Sequence, residues 1–418
     1  MPRLASGAGG FLLGGSDVRG VVEASGRPSL ELSWSESGVK LSFDRLETLL
    51  FDQEGRPISW TRPLHSYRRG YDGGIKEITR FGDDATHYYD ARLLEPGEAV
   101  LWQKELQERL HSAWQRLRHP ALRPALQFCF PSDEANFTRV YKPVGILPPN
   151  QYRALVLQLT QGCSYNRCTF CNFYKNQTYA VKTMSQFRTH VAAAVAFMGR
   201  ALGRRRGVFL GEANAGSLPT EVLADALQEI RAAFPPTLRD RQGRGCHPLQ
   251  FHKVGVFLDT FTRVRPVEEW KRLRELGLNS IYLGMESGSV SVLRLLGKPG
   301  HPRRVEQTVE RLKQAGLKVH PIVMTGAGGQ ALAGEHLSQT VDSLKRMPLG
   351  PGDQVYLSEF AVHPGEAYEK RAADLQTRPL DRLECRQQTR ALREALGYPV
   401  GPAAPSTSLY DVRQFVYA

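Results

Sequence analysis

The sequence predicts an α/β protein built around a parallel sheet, with an α+β unit before it and a short helical extension after it. Three observations carry that reading. From Ala154 onward, short apolar runs alternate with amphipathic helical stretches; before it, period-two alternation broken by turn residues dominates; after about residue 366 the pattern is helical through Leu396, then Pro-rich.

In the N-terminal stretch, Leu30, Leu32 and Trp34 alternate on one run and Val39, Leu41 and Phe43 on the next, a hairpin turning through Ser35 to Gly38. Asp52 to Arg56 reads as a second turn, between Leu49-Leu50-Phe51 and Ile58-Ser59-Trp60, and further strands are expected over 75–81 and 87–94. Helical spacing takes over from about Glu98 to Arg118, where Leu106, Leu110, Trp114 and Leu117 share a stripe. Residues 1–142 are therefore expected to form an α+β domain. The prolines between Lys142 and Asn150 disfavour helix and place a linker at 143–152.

The strands expected next are Leu155–Leu159, Val208–Leu210, Val254–Leu258, Ser280–Leu283, Val319–Met324 and Val355–Phe360, with helices near 185–202, 219–233, 267–276, 303–315 and 335–346. Such alternation gives a parallel sheet with right-handed crossovers, either open and doubly wound or curled into a partial barrel. In both, the chemistry belongs at the carboxyl ends of the strands. This domain spans 153–365, and 366–418 is the helical extension.

The 418 residues are 41% hydrophobic and 23% charged, as in ordinary globular proteins, and no apolar run is long enough to cross a bilayer. Met1-Pro2-Arg3-Leu4-Ala5 leads into glycines without a sustained apolar h-region, so a cytoplasmic protein with no membrane contact is expected. The net charge of +13 favours an anionic partner, and Tyr67-Arg68-Arg69-Gly70-Tyr71 interleaves aromatic and basic side chains as a nucleic-acid contact would. Arg303, Arg304, Arg311 and Arg382 recur along helices, which suits a solvated surface equally well.

Six cysteines are present, and Cys163, Cys168 and Cys171 crowd into Gly162-Cys163-Ser164-Tyr165-Asn166-Arg167-Cys168-Thr169-Phe170-Cys171, directly after the first strand of the α/β series. A dense triplet points to metal or redox chemistry, not to a disulfide framework. Structural zinc and closed iron-sulfur sites take four ligands, whereas three thiolates on a cubane leave one iron open to a small molecule. A zinc knuckle completed by Cys246 or His247, or three inert thiols, are the alternative readings.

The triplet resembles the cluster loop of the radical S-adenosylmethionine (radical SAM) superfamily, whose usual spacing is three residues and then two, with an aromatic before the last cysteine. Phe170 supplies the aromatic; four residues separate Cys163 from Cys168, the extra position falling at Tyr165-Asn166-Arg167. The resemblance implies a partial (β/α)6 TIM-like barrel, a 4Fe-4S cluster on Cys163, Cys168 and Cys171, and S-adenosylmethionine on the open iron. Reductive cleavage to methionine and a 5′-deoxyadenosyl radical would then remove hydrogen from a substrate. Gly211-Glu212-Ala213-Asn214 resembles the motif that meets the cofactor's ammonium; Glu286 and Ser287 match the ribose-contacting strand end, and Gly326 the adenine-flanking one.

Asp259, Arg263, Glu359, His363, Tyr174 and Lys175 are candidates for the substrate pocket by position. Cys129 is the only cysteine before the triplet, and Cys385 the only one after residue 366, so auxiliary clusters are not expected; nor does the N-terminal unit carry the Asp-x-His-x-x-Gly loop of cobalamin-dependent relatives. The expected partners are an electron donor of the flavodoxin or ferredoxin type and a small-molecule or peptide substrate, preferred over nucleic acid. The competing class is an iron-sulfur or zinc nucleic-acid-binding module without catalysis, which would not need the strand-end motifs.

Overall fold

The computed structural model describes residues 18–24, 29–81, 88–235, 251–261, 264–362 and 367–418. The chain divides into two compact units, Met1–Arg153 with Ala193–Arg206 and Arg413–Ala418, and Ala154–Ala192 with Gly207–Val412. The expected linker at 143–152 therefore belongs to the first unit.

The first unit holds an antiparallel sheet whose eight strands follow sequence order: β1 (Val18–Ala24), β2 (Leu30–Ser35), β3 (Gly38–Phe43), β4 (Glu47–Phe51), β5 (Pro57–Thr61), β6 (His65–Arg69), β7 (Ile75–Phe81) and β8 (Tyr88–Leu93). The hairpin of β2 and β3 closes with Ser35 opposite Gly38, as the alternation predicts. Neither β1 nor β6 was expected; His-Ser-Tyr-Arg-Arg has no apolar alternation, and β6 is defined by pairing with β5 and β7 on its two sides. Three helices follow, α1 (Pro96–Leu117), α2 (Arg123–Leu126) and α3 (Phe130–Val140).

A capping box between Glu95 and Glu98, with Pro96 in the first turn, starts α1. The helix buries Trp102, Leu106, Leu110 and Ala113 in one cluster with Leu32, Leu41, Phe43, Leu49 and Trp60 of the sheet. Burial of each leucine contributes about 1.5–3 kcal/mol, and Leu106→Ala, which leaves a cavity, would cost about 2–5 kcal/mol.

The Tyr67–Tyr71 stretch does not present the surface its sequence suggested. Tyr71 is 1% exposed, Tyr67 donates its hydroxyl to Glu77 at 3.0 Å, and buried Arg69 pairs with Asp133 at 3.4 Å and Glu134 at 3.2 Å. Packing the rings inward carries Arg69 with them, and its charge is answered inside the unit.

The second unit runs β9 (Leu155–Gln158), β10 (Thr160–Gln161), β11 (Ala180–Val181), α4 (Met184–Met198, its first half), β12 (Val208–Gly211), α5 (Thr220–Ala233), β13 (Val254–Leu258), α6 (Val267–Glu275), β14 (Leu278–Glu286), α7 (Val290–Leu295), α8 (Pro302–Gln314), β15 (Lys318–Thr325), α9 (Ala333–Arg346), β16 (Gln354–Glu359), α10 (Ala367–Asp374), α11 (Arg382–Leu396) and β17 (Ser406–Leu409). Its main sheet has seven strands in the order β9-β12-β13-β14-β15-β16-β17, each neighbour parallel. This is a partial TIM-like barrel, open between β9 and β17. The expected helical extension is corrected here: residues 367–412 add two helices and a seventh strand, whose Ser-Thr-Ser-Leu composition hides it from a hydrophobic pattern.

An aromatic layer crosses the sheet. Phe209 lies 4.9 Å from Phe257, Tyr282 stacks on His320 at 4.6 Å, and Tyr356 lies 5.6 Å from Tyr410, centroid to centroid. Burial holds His320 down at about 4, so it packs as a neutral ring. Tyr282 and Gly284 stand two apart on β14 and share a face, which places this layer beneath the polar groups gathered above Gly284.

Candidate active site

The cysteine loop leaves β10 and is anchored on the last turn of α7. Thr169 donates its amide to the Leu296 carbonyl at 2.9 Å and its hydroxyl to the Leu295 carbonyl at 3.2 Å, while Tyr165 donates its hydroxyl to Gly297 at 2.9 Å. These carbonyls are ones a helix end leaves without an internal partner, so α7 offers a ready dock. Lys175 closes the loop from the other side, donating to the Asn166 carbonyl at 3.1 Å and the Cys168 carbonyl at 3.0 Å.

Cys163, Cys168 and Cys171 are free thiols of intermediate exposure. Burial pushes Cys168 up to about 12, against the pull of Lys298, and raises Cys171 as well. Among the described residues no three His, Cys, Asp or Glu side chains are spaced to hold a single ion; a cubane instead takes each thiolate on a different iron. Three soft donors on a tethered, partly open loop fit such a cluster.

At the end of β12 stands Glu212, 5% exposed, whose peptide unit is clasped by Thr160: the Glu212 amide donates to Thr160 Oγ1 at 2.8 Å, and that hydroxyl donates to the Glu212 carbonyl at 3.2 Å. Gln158 donates to Glu212 Oε1, and Oε2 is buried with no hydrogen-bond partner among the described residues. Burial raises this carboxyl to about 8, more than Gln158 and Lys182 lower it. Two residues on, Asn214 accepts the Asp259 amide on Oδ1 at 2.8 Å, leaving Nδ2 buried and without a partner among the described residues. Buried Tyr174 links this edge to the cysteines. Its hydroxyl accepts the Ala213 amide at 3.2 Å, and Glu212, Cys171 and Cys163 act with burial to hold the phenol well above its usual range.

On the opposite side a lysine occupies the centre. Lys298 Nζ lies 2.6 Å from Asp259 Oδ1 and 2.8 Å from Glu286 Oε1, all three being largely buried. Burial alone would lower the ammonium, but the two carboxylates outweigh it and keep Lys298 above its usual value. A register shift between Gly284 and Glu286 swings Glu286 to φ +59°, toward Lys298. A Cβ at position 284 would stand 2.7 Å from Lys298 Nζ and 2.8 Å from Asp259 Oδ1, so glycine is what leaves room for the triad.

The remaining candidates fall in different surroundings. Ser287 is fully buried and turned to α9, its hydroxyl 2.8 Å from His336 Nδ1; burial holds His336 at about 4, hence neutral. Gly326 has φ +87° and donates its amide to Gln388 Oε1 at 2.7 Å, with Cys385 Sγ 2.4 Å from where its Cβ would be. Gly211 closes β12 in register with Gln158. Glu359 at the end of β16 faces Arg386 at 3.5 Å. Arg263, His363, Cys246 and His247 lie outside the described residues.

Sequence reasoning missed Lys298, Thr160, Gln158 and Gln388. Lys298, in Leu296-Gly297-Lys298-Pro299-Gly300, reads as an ordinary surface turn; only its neighbours in space mark it. Thr160 and Gln158 could have been suspected from sitting polar at the end of a fully buried strand.

Residues 157–342 match the radical SAM superfamily. Among solved structures, the chain is similar to coproporphyrinogen III oxidase from Escherichia coli, a radical SAM enzyme, at 15% identity over 59% of this chain and 53% of that one, with a TM-score of 0.41. It is also similar to the archaeal Methanocaldococcus infernus Elp3 with an N-terminal deletion, at 12% identity, 61% and 56% coverage and TM-score 0.38, and to HydG, a maturase of FeFe hydrogenase, at 14% identity, 72% and 66% coverage and TM-score 0.39. The chain spans about half the length of the first of these, with 53% covered. No curated protein matches it. What the comparisons show is thus a match of the central part of the chain, residues 157–342, to the radical SAM superfamily.

Proposed function

We propose that Cys163, Cys168 and Cys171 hold the cluster and that the end of β12 receives the methionyl group of S-adenosylmethionine, for hydrogen abstraction from a small-molecule or peptide substrate. The observation that carries this is the pair of unsatisfied buried atoms two residues apart, an acceptor on Glu212 Oε2 and a donor on Asn214 Nδ2. A buried polar atom without a partner costs about 1–3 kcal/mol, which a ligand carrying both an ammonium and a carboxylate would recover. When bound, the cluster supplies the electron that splits S-adenosylmethionine into methionine and a 5′-deoxyadenosyl radical.

The chain's own residues bind, orient and exclude water. Thr160 and Gln158 fix Glu212 so that one oxygen faces inward. The Asp259 amide fixes the Asn214 side chain with its NH2 free to donate. Glu286, Asp259 and Lys298 form the polar wall beyond them, where ribose hydroxyls and then substrate would lie, with the aromatic layer below. Electrons reach the cluster from a flavodoxin- or ferredoxin-type donor in a cytoplasmic setting; no described helix is long and apolar enough to cross a membrane.

Anaerobic reconstitution tests the ligand set. Wild type should hold about four iron per chain. Cys163→Ala, Cys168→Ala and Cys171→Ala should each lose it, and Cys129→Ala and Cys385→Ala should keep it; zinc alone on wild type would overturn the reading.

A further inference from the structure

We propose that Asn166, in the four-residue stretch between Cys163 and Cys168, is a positioning residue that holds a backbone N–H on Cys163 Sγ and thereby raises the reduction potential of the cluster. The proposal rests on the cluster assignment above and deepens it.

Asn166 has φ +48°, the left-handed region that disfavours an ordinary L-residue and that asparagine tolerates best after glycine. Three bonds hold it there. Its side chain donates from Nδ2 to the Tyr174 carbonyl at 2.8 Å, its own carbonyl accepts Lys175 Nζ at 3.1 Å, and its amide donates to Cys163 Sγ at 3.4 Å. The neighbouring Tyr165 fastens the same segment to Gly297 at 2.9 Å. Asn166 is thus secured by its neighbours, and what it delivers is a single N–H to the sulfur of Cys163.

A donor to a cluster sulfur stabilises the more negative, reduced state, so hydrogen bonding to the sulfurs is one of the terms that sets the potential. The side chain matters because it pins the turn: Asn166→Ala removes the Tyr174 anchor and disfavours the left-handed backbone, whereas Asn166→Gly removes the anchor but accepts the backbone freely.

The test is an EPR-monitored potentiometric titration of the reconstituted full chain. Asn166→Ala should keep its iron but titrate at a more negative potential, with the reduced-to-oxidised ratio at a fixed potential falling about tenfold, which for one electron is about 59 mV. Asn166→Gly should fall between Ala and wild type. If Asn166→Ala assembles poorly, the Gly variant alone still decides: a potential below that of wild type supports the proposal. Equal potentials for wild type and every variant that assembles would overturn it. A wild type without iron would instead defeat the cluster assignment, so the two failures are distinct.

Discussion

Lys298 Nζ sits 2.8 Å from Glu286 Oε1, joining the loop after α7 to the bulged end of β14. Asp259 lies 2.6 Å away on the other side. Breaking a buried ion group by removing one partner costs more than the group contributed, because the remaining charges stay buried. Lys298→Met should therefore destabilise the protein by about 3 kcal/mol and lower Tm by roughly 6–12 °C. Adding Glu286→Gln to that variant should recover part of the loss, measured by calorimetry. A single variant as stable as wild type would show that the trio is solvated and not a wall of the site.

Glu212 offers a prediction with a sign. Burial raises its carboxyl to about 8, so below that pH the free enzyme holds it largely protonated. A ligand ammonium favours the ionised form. Binding of S-adenosylmethionine at pH 7 should then release a proton, and affinity should rise with pH and level off above about 8. For the free protein the linkage runs the other way: a folded pKa above the unfolded one gives stability that is full below about 4.5 and is lost as pH rises through about 8. Calorimetry in buffers of different ionisation enthalpy counts the proton. Glu212→Gln should abolish the release and weaken binding by about 1–3 kcal/mol, a factor of roughly 5–150, with iron content unchanged.

Gly326 has both a left-handed φ of +87° and Cys385 Sγ 2.4 Å from any Cβ. Gly326→Ala should cost about 2–5 kcal/mol, the sum of backbone strain and overpacking. In a Cys385→Ala background the overpacking part should vanish and the strain remain. Chemical denaturation of the two single variants and the double one separates these contributions; identical losses in both backgrounds would place the whole cost in the backbone.

Much of this was legible in the sequence. Runs such as Leu155-Val156-Leu157 and Ile281-Tyr282-Leu283 are buried on both faces, so their continuous apolarity announced parallel strands. Strands β6 and β17 were not legible because polar residues can complete a sheet once neighbours supply the ladder. Lys298 was invisible for a different reason: a lysine buried by two carboxylates distant in sequence looks, locally, like any other lysine. Tyr67–Tyr71 misled in the opposite direction, since its basic and aromatic side chains are answered by Asp133, Glu134 and the core.

The most direct test is the fate of S-adenosylmethionine itself. The reconstituted full chain, given dithionite and S-adenosylmethionine without substrate, should slowly form 5′-deoxyadenosine and methionine, because cleavage needs only bound cofactor and an electron. Glu212→Gln should do so only at raised S-adenosylmethionine concentration. A wild-type protein that carries its cluster and forms no 5′-deoxyadenosine under any reducing condition would contradict the account.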